Sequence, residues 1–168
     1  GFAHIGIQPN TFPVTDSKAQ VEFFNSVGSQ HAVSLYPIGA LTSNAKGEAL
    51  AELFDMAKEG AISFYDYKKP LTHANILKIA LQYAQGFDGL VQSFPMDGTL
   101  AGNGQMHEGA ISTQLGLKGI PSLCETVQIK RDLEILKYTG GRLHIPTIST
   151  KESVALIKEA KAEGLDVG

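Results

Sequence analysis

Metal-assisted and acid–base chemistry needs side chains with free lone pairs. The sequence offers five histidines, His4, His31, His73, His107 and His144, beside 17 acidic residues and one cysteine, Cys124. Imidazole and carboxylate suit zinc because they place a nitrogen or oxygen lone pair about 2.0–2.2 Å from the ion. Five imidazoles are enough in number for such a site. Cys124 alone makes neither an internal disulfide nor a Cys-rich zinc site, so a reducing compartment, the cytoplasm, is expected. No Gly-x-Gly-x-x-Gly follows the first apolar run and no Gly-x-x-x-x-Gly-Lys-Ser/Thr occurs anywhere. The backbone cradles that hold nucleotide phosphates therefore lose support.

Positioning these groups requires a fold, and the length of 168 residues with 43% hydrophobic and 18% charged residues allows a real core. Fourteen basic against 17 acidic residues, net charge -3, give no electrostatic footprint for nucleic acid or an anionic membrane. No apolar run reaches the ~18 residues of a membrane span. Apolar, β-rich segments recur at 2–9, 31–41, 61–67, 89–95 and 142–149, and each reads as a strand.

Helical signals separate the strands. Asp16 is expected to cap a helix that Gly28 closes, Leu50, Leu53, Phe54 and Ala57 form one apolar stripe ended by Gly60, and Thr72 is expected to cap a third helix. Capping boxes are expected at Ser122 with Glu125, opening a helix to about Tyr138, and at Ser149 with Glu152, opening a last helix that Gly164 closes. Residues 96–121, with six glycines, show neither period and are expected to be a structureless stretch, which at that length is either functional or disordered. Leu165–Gly168 resembles a further strand just beginning.

Strands alternating with helices imply βαβ units and a parallel α/β sheet, either open and doubly wound or part of a (β/α)8 barrel, that is, a TIM barrel. A full barrel needs about 250 residues, so a barrel reading makes residues 1–168 one incomplete domain with unpaired edges. In both architectures ligands bind where the strands end, which directs attention to Gln8–Thr11, Tyr36–Gly39, Tyr65–Lys68, Ser93–Met96 and Pro146–Ser149.

Those segments carry a resemblance. QPNTFPVTDS, SLYPIGALT, FYDYKKP, MHEGAISTQLGLKGIPS and RLHIPTISTKESVALIKEAKAEGL, in this order and spread over the whole chain, resemble the dihydroorotases of the amidohydrolase superfamily. The resemblance implies a partial TIM barrel covering about the second to sixth strands. It also implies a zinc-dependent hydrolase of cyclic amides in pyrimidine biosynthesis, whose metal lowers the pKa of a bound water to about 7 and polarises the amide carbonyl. In the family a His-x-His pair, a carboxylate or carboxylated lysine, two further histidines and an Asp hold two zinc ions.

Carried over residue by residue, Asn10 falls on the asparagine that binds the substrate carboxylate and Asp66 on the metal-bridging aspartate. Phe94 stands where the fifth-strand histidine is expected, and Thr147 where the sixth-strand histidine is expected. Phenylalanine has no lone pair to give, and a neutral hydroxyl is a poor zinc ligand. His144, three residues from Thr147, is expected on the opposite face, and His107 as hydrogen-bonding scaffold, as are His4, His31 and His73. The remaining ligands would lie outside this chain, so the zinc centre is expected to be absent or incomplete here.

Two functions remain open at this point. One is a dihydroorotase-like amidohydrolase acting on dihydroorotate or carbamoyl aspartate, impaired by Phe94 and Thr147. The other is a non-catalytic structural or assembly partner, for example of aspartate carbamoyltransferase. Association into a homo-oligomer, or membership of a larger parent chain, is expected from the unpaired edges.

Overall fold

The computed structural model describes residues 1–168. Its elements run β1 (His4–Ile7), α1 (Lys18–Gly28), β2 (Ser34–Pro37), α2 (Leu53–Lys58), α3 (Ala74–Ala84), β3 (Leu90–Gln92), α4 (Gly98–Ala101), β4 (Met106–His107), α5 (Ala110–Leu115), β5 (Gly119–Ile120), α6 (Leu123–Thr139), β6 (Arg142–His144) and α7 (Lys151–Ala162). No helix is long and apolar enough to cross a membrane.

The order of neighbours decides between the two architectures. β1 pairs in parallel with β2, from His4 against Ser34 to Ile7 against Pro37. Phe64 then bridges in parallel to Gly39 on one side and to Val91 of β3 on the other. β3 pairs in parallel with β6, from Leu90 against Arg142 to Gln92 against His144, and Leu143 of β6 bridges to Val167. Apart from the short β4–β5 pair, each strand lies beside its predecessor in sequence. An open doubly wound sheet reverses its strand order at a switch point, whereas a barrel wall does not. The chain is therefore part of a TIM barrel wall.

The strands are shorter than the apolar runs that announce them. The third, expected over 61–67, is reduced to the bridges at Phe64, held by Phe64 N–H donating to Leu90 O at 2.9 Å and Tyr65 N–H to Gly39 O at 2.8 Å. Proline explains several of the ends: Pro37 closes β2, and Pro9, Pro95 and Pro146 follow β1, β3 and β6 within three residues. Each removes a donor from the ladder. The wall is close enough to α2 at Gly39 that a Cβ there would stand 2.8 Å from Met56 Sδ.

Between wall and helices lies the core, in which Phe64, Val91 and Leu143 from the wall meet Met56, Leu77, Leu81, Ile129 and Leu136 from α2, α3 and α6. Burial of such side chains stabilises the fold by about 1.5–3 kcal/mol each. β1 has a strand on one side only, and Ile5 is 42% exposed.

Several helix starts differ from expectation. Ser17, not Asp16, precedes α1, with its N–H donating to Gln20 Oε1 at 3.1 Å, while the Asp16 carboxylate accepts from Asn44 N–H at 2.7 Å. Gly28 is the last residue of α1, and the cap is Ser29 in right-handed conformation. His73 takes the cap position of α3 in place of Thr72. The Ser122–Glu125 box does not form, because Glu125 is turned to the next strand exit, and α7 is capped by Thr150, whose hydroxyl accepts from Ser153 N–H at 3.2 Å, rather than by Ser149. Gly60 (φ 104°) and Gly164 (φ 88°) follow α2 and α7 in left-handed conformation, as expected.

The stretch 96–121 is folded, against expectation. It contains α4, β4, α5 and β5, with Met106 paired to Gly119 and His107 to Ile120 in parallel. Two-residue strands are too short to leave a period in the sequence. α5 also hides its identity by burying Ser112 while exposing Ile111 (58%) and Leu115 (62%).

Candidate functional site at the strand exits

A cavity of about 200 Å³ opens at the C-terminal ends of β3 and β6. Phe94, Pro95 and Met96 line it after β3, Thr147, Ser149 and Thr150 after β6, His107 and Ile120 from the β4–β5 pair, and Pro121, Ser122, Cys124 and Glu125 from the entry and first turn of α6. Phe94 and Thr147, from separate strands, thus face one space. β6 ends at His144 and Thr147 has φ 59°, so a turn in left-handed conformation, not alternation along a strand, delivers Thr147 to the cavity. Its hydroxyl donates to Pro146 O at 2.7 Å. His144 is half-buried and does not line the cavity.

Nothing in the periodicity of 96–121 pointed to His107. It is exposed at the cavity edge because β4 pairs with β5. The signal that could have found it is the pair of short apolar stretches flanking α5, read as a small βαβ unit. His4, in contrast, stacks at 5.6 Å against Tyr36 on the wall, and His31 and His73 are exposed.

The groups around the cavity are largely committed. The Glu125 carboxylate accepts from Ser149 N–H (3.0 Å), Ser149 Oγ (2.6 Å), Thr150 N–H (3.1 Å) and Thr150 Oγ1 (3.1 Å). Burial pushes this carboxyl up, but the bonds from Ser149 and its neighbours outweigh burial and hold it below the usual glutamate range. Burial, with the nearby Asp97 and Glu108 charges, pushes the Cys124 thiol up, which leaves it protonated and a poor nucleophile. Behind Phe94, Ser93 donates to the buried Asp132 at 2.6 Å, and Arg131 completes the pair at 2.7 Å. Burial raises the Asp132 carboxyl in spite of that cation.

Asn10 lies exposed just past β1, at the same end of the wall but outside the cavity lining. Asp66 follows the third strand and is 2% exposed. Its Oδ1 accepts from Leu41 N–H (2.9 Å) and Thr42 N–H (3.0 Å), and its Oδ2 from the Thr42 hydroxyl. It too is outside the cavity lining.

The zinc centre implied by the resemblance meets a donor set that does not fit it. Phe94 and Thr147 present a ring and a hydroxyl to the cavity, and within this chain no three or more His, Cys, Asp or Glu side chains come together in a way that could hold a metal ion.

Two solved structures share this architecture. An L-hydantoinase (dihydropyrimidinase) from Arthrobacter aurescens superposes with a TM-score of 0.75 at 21% identity, over 98% of this chain and 38% of the other. A D-hydantoinase from a Bacillus sp. AR9 does so with a TM-score of 0.68 at 16% identity, over 98% and 38%. The parallel wall in sequence order with its cavity at the strand exits thus has the fold of part of the barrel in those structures. The family model described as "Dihydro-orotase-like" matches residues 1–153, and the chain belongs to that family. It is 46% identical to a dihydroorotase of Pelotomaculum thermopropionicum and 41% identical to one of Syntrophotalea carbinolica, over 99% of its length in each case. It spans only 39% and 40% of those relatives.

Proposed function

We propose that the intact protein is a dihydroorotase-like member of pyrimidine biosynthesis that lacks cyclic-amide hydrolysis through the family's two-zinc centre. The observation that carries this is the meeting of Phe94 and Thr147 at one cavity. The two side chains converge at the exits of two adjacent parallel strands, where neither supplies an imidazole. In this reading Asn10 keeps an exposed amide at the strand ends to meet the carboxylate of dihydroorotate or carbamoyl aspartate, so binding outlasts turnover.

The test is metal content together with dihydroorotate hydrolysis on the intact protein. Less than one zinc per chain and no turnover are expected, while about two zinc with turnover would overturn the proposal. Phe94→His combined with Thr147→His is expected to raise zinc affinity, because it returns two imidazoles to one cavity.

A barrel that has lost the centre still offers surface to a partner, and the exposed Ile111 and Leu115 on α5 favour that second reading. Co-purification with aspartate carbamoyltransferase that is weakened by Ile111→Asp would support it. Cytoplasmic location is part of the same proposal.

A further inference from the structure

The 41–47 segment after β2 has only a single antiparallel bridge, Thr42 to Leu50, yet its amides are satisfied from Leu41 to Gly47. Leu41 and Thr42 donate to Asp66, Ser43 to Ala49 O (2.9 Å), Asn44 to Asp16 (2.7 Å), Ala45 to Thr42 O (2.9 Å), Lys46 to Ser43 O (3.2 Å) and Gly47 to Thr42 Oγ1 (2.8 Å). Within it Asn44 and Ala45 have φ 53° and 51°, consecutive left-handed conformations that L-residues hold only when their surroundings impose them. The third-strand exit imposes them at two points. Asp66 takes the start of the segment, and Lys69, three residues on, donates from Nζ to Ala45 O at 2.9 Å.

We infer that Asp66 is a positioning residue that fixes the 41–47 segment at the rim of the strand exits, and that it does not ligate metal. A bridging carboxylate must turn oxygen lone pairs toward the ions, through one oxygen or both, whereas here Oδ1 holds two backbone amides and Oδ2 holds a hydroxyl, all within the protein. Turning the carboxylate outward would strand the Leu41 and Thr42 N–H groups in a buried place, and buried unpaired amides are costly and rare. The carboxylate at this position therefore serves the scaffold, a role that needs no metal. The inference deepens the metal-poor reading above, on which it rests for the correspondence of Asp66 with the bridging aspartate.

The experiment measures amide exchange, melting temperature and zinc per chain on the intact protein and on Asp66→Ala and Asp66→Asn. Asp66→Ala is expected to speed exchange at Leu41 and Thr42 by about tenfold or more and to lower the melting temperature by roughly 4–8 °C, with zinc per chain unchanged. Asp66→Asn retains an acceptor oxygen for the two amides and is expected to restore most of the protection. Loss of bound zinc in Asp66→Asn with Leu41 and Thr42 still protected would overturn the inference. If Asp66→Ala does not fold, the unaltered protein decides: added zinc should leave exchange at Leu41 and Thr42 unchanged, and zinc-induced exposure of those amides would overturn it. Two zinc per chain retained by Asp66→Asn would instead leave the anchor standing and sink the metal-poor reading.

Discussion

Asp66 and Glu125 do the same mechanical job at two strand exits, and their acidities move in opposite directions. Each carboxylate accepts two consecutive backbone amides and at least one hydroxyl from a segment 24 or 25 residues away, Leu41–Thr42 for Asp66 and Ser149–Thr150 for Glu125. Burial raises Asp66 and its three donors do not compensate. At Glu125 burial also acts upward, but four donors at the start of α7 outweigh it. That helix terminus adds a favourable dipole for a negative charge. The lesson is that hydrogen-bond geometry alone does not set acidity, because the balance turns on how much water each carboxylate has lost against how many donors replaced it.

The largest expected effect comes from breaking the stronger anchor. Glu125→Ala strands two amides and two hydroxyls at the head of α7 and is expected to cost about 2–4 kcal/mol in urea unfolding. Asp66→Ala is expected to cost less, roughly 1–3 kcal/mol near neutral pH, because it also relieves a charge that burial disfavours. If the two costs come out reversed, the contrast drawn from burial and donors is wrong.

A pH series sharpens the contrast. Glu125 is lowered in the folded state, so its contribution is complete above the ordinary glutamate range and is lost as pH falls through the lowered folded value. Asp66 is raised, so its contribution is complete below the ordinary aspartate range and is lost as pH rises through the raised folded value. The stability difference between the unaltered protein and Glu125→Gln should therefore shrink with acid. The corresponding difference for Asp66→Asn should shift in favour of the unaltered protein.

Asp132 offers an intermediate case, a buried and raised carboxyl with a cation at 2.7 Å. Arg131→Met is expected to cost about 1–3 kcal/mol at neutral pH, most of it recovered in acid where Asp132 takes up a proton. The smallest effect is expected from Lys69→Met, under about 1 kcal/mol, since it removes one bond to Ala45 O while leaving Asp66 in place.

Legibility from sequence followed period and length. The alternation of apolar strands with helical stripes exposed the βαβ repeat, and Gly60 and Gly164 marked real helix ends. Proline shortened the strands in ways that apolar content could not reveal. The β4–β5 pair escaped a reading by period because two residues carry none, and with it went the placement of His107. The Ser-x-x-Glu pattern at 122–125 misled because Glu125 had a better partner set at Ser149–Thr150, a competition decided across 24 residues of chain.

By itself the sequence determined the class of chain: parallel α/β units, the family resemblance, and the absence of imidazole at positions 94 and 147. Those properties are local or read residue by residue, so no distance is needed to state them. Only the tertiary structure decided that the strands follow one another in barrel order, that Phe94 and Thr147 share a cavity, and that Asp66 points its oxygens at Leu41 and Thr42. A side chain's type fixes what it can bind, whereas which donors surround it and how much water it loses depend on segments distant in sequence that meet when the chain packs.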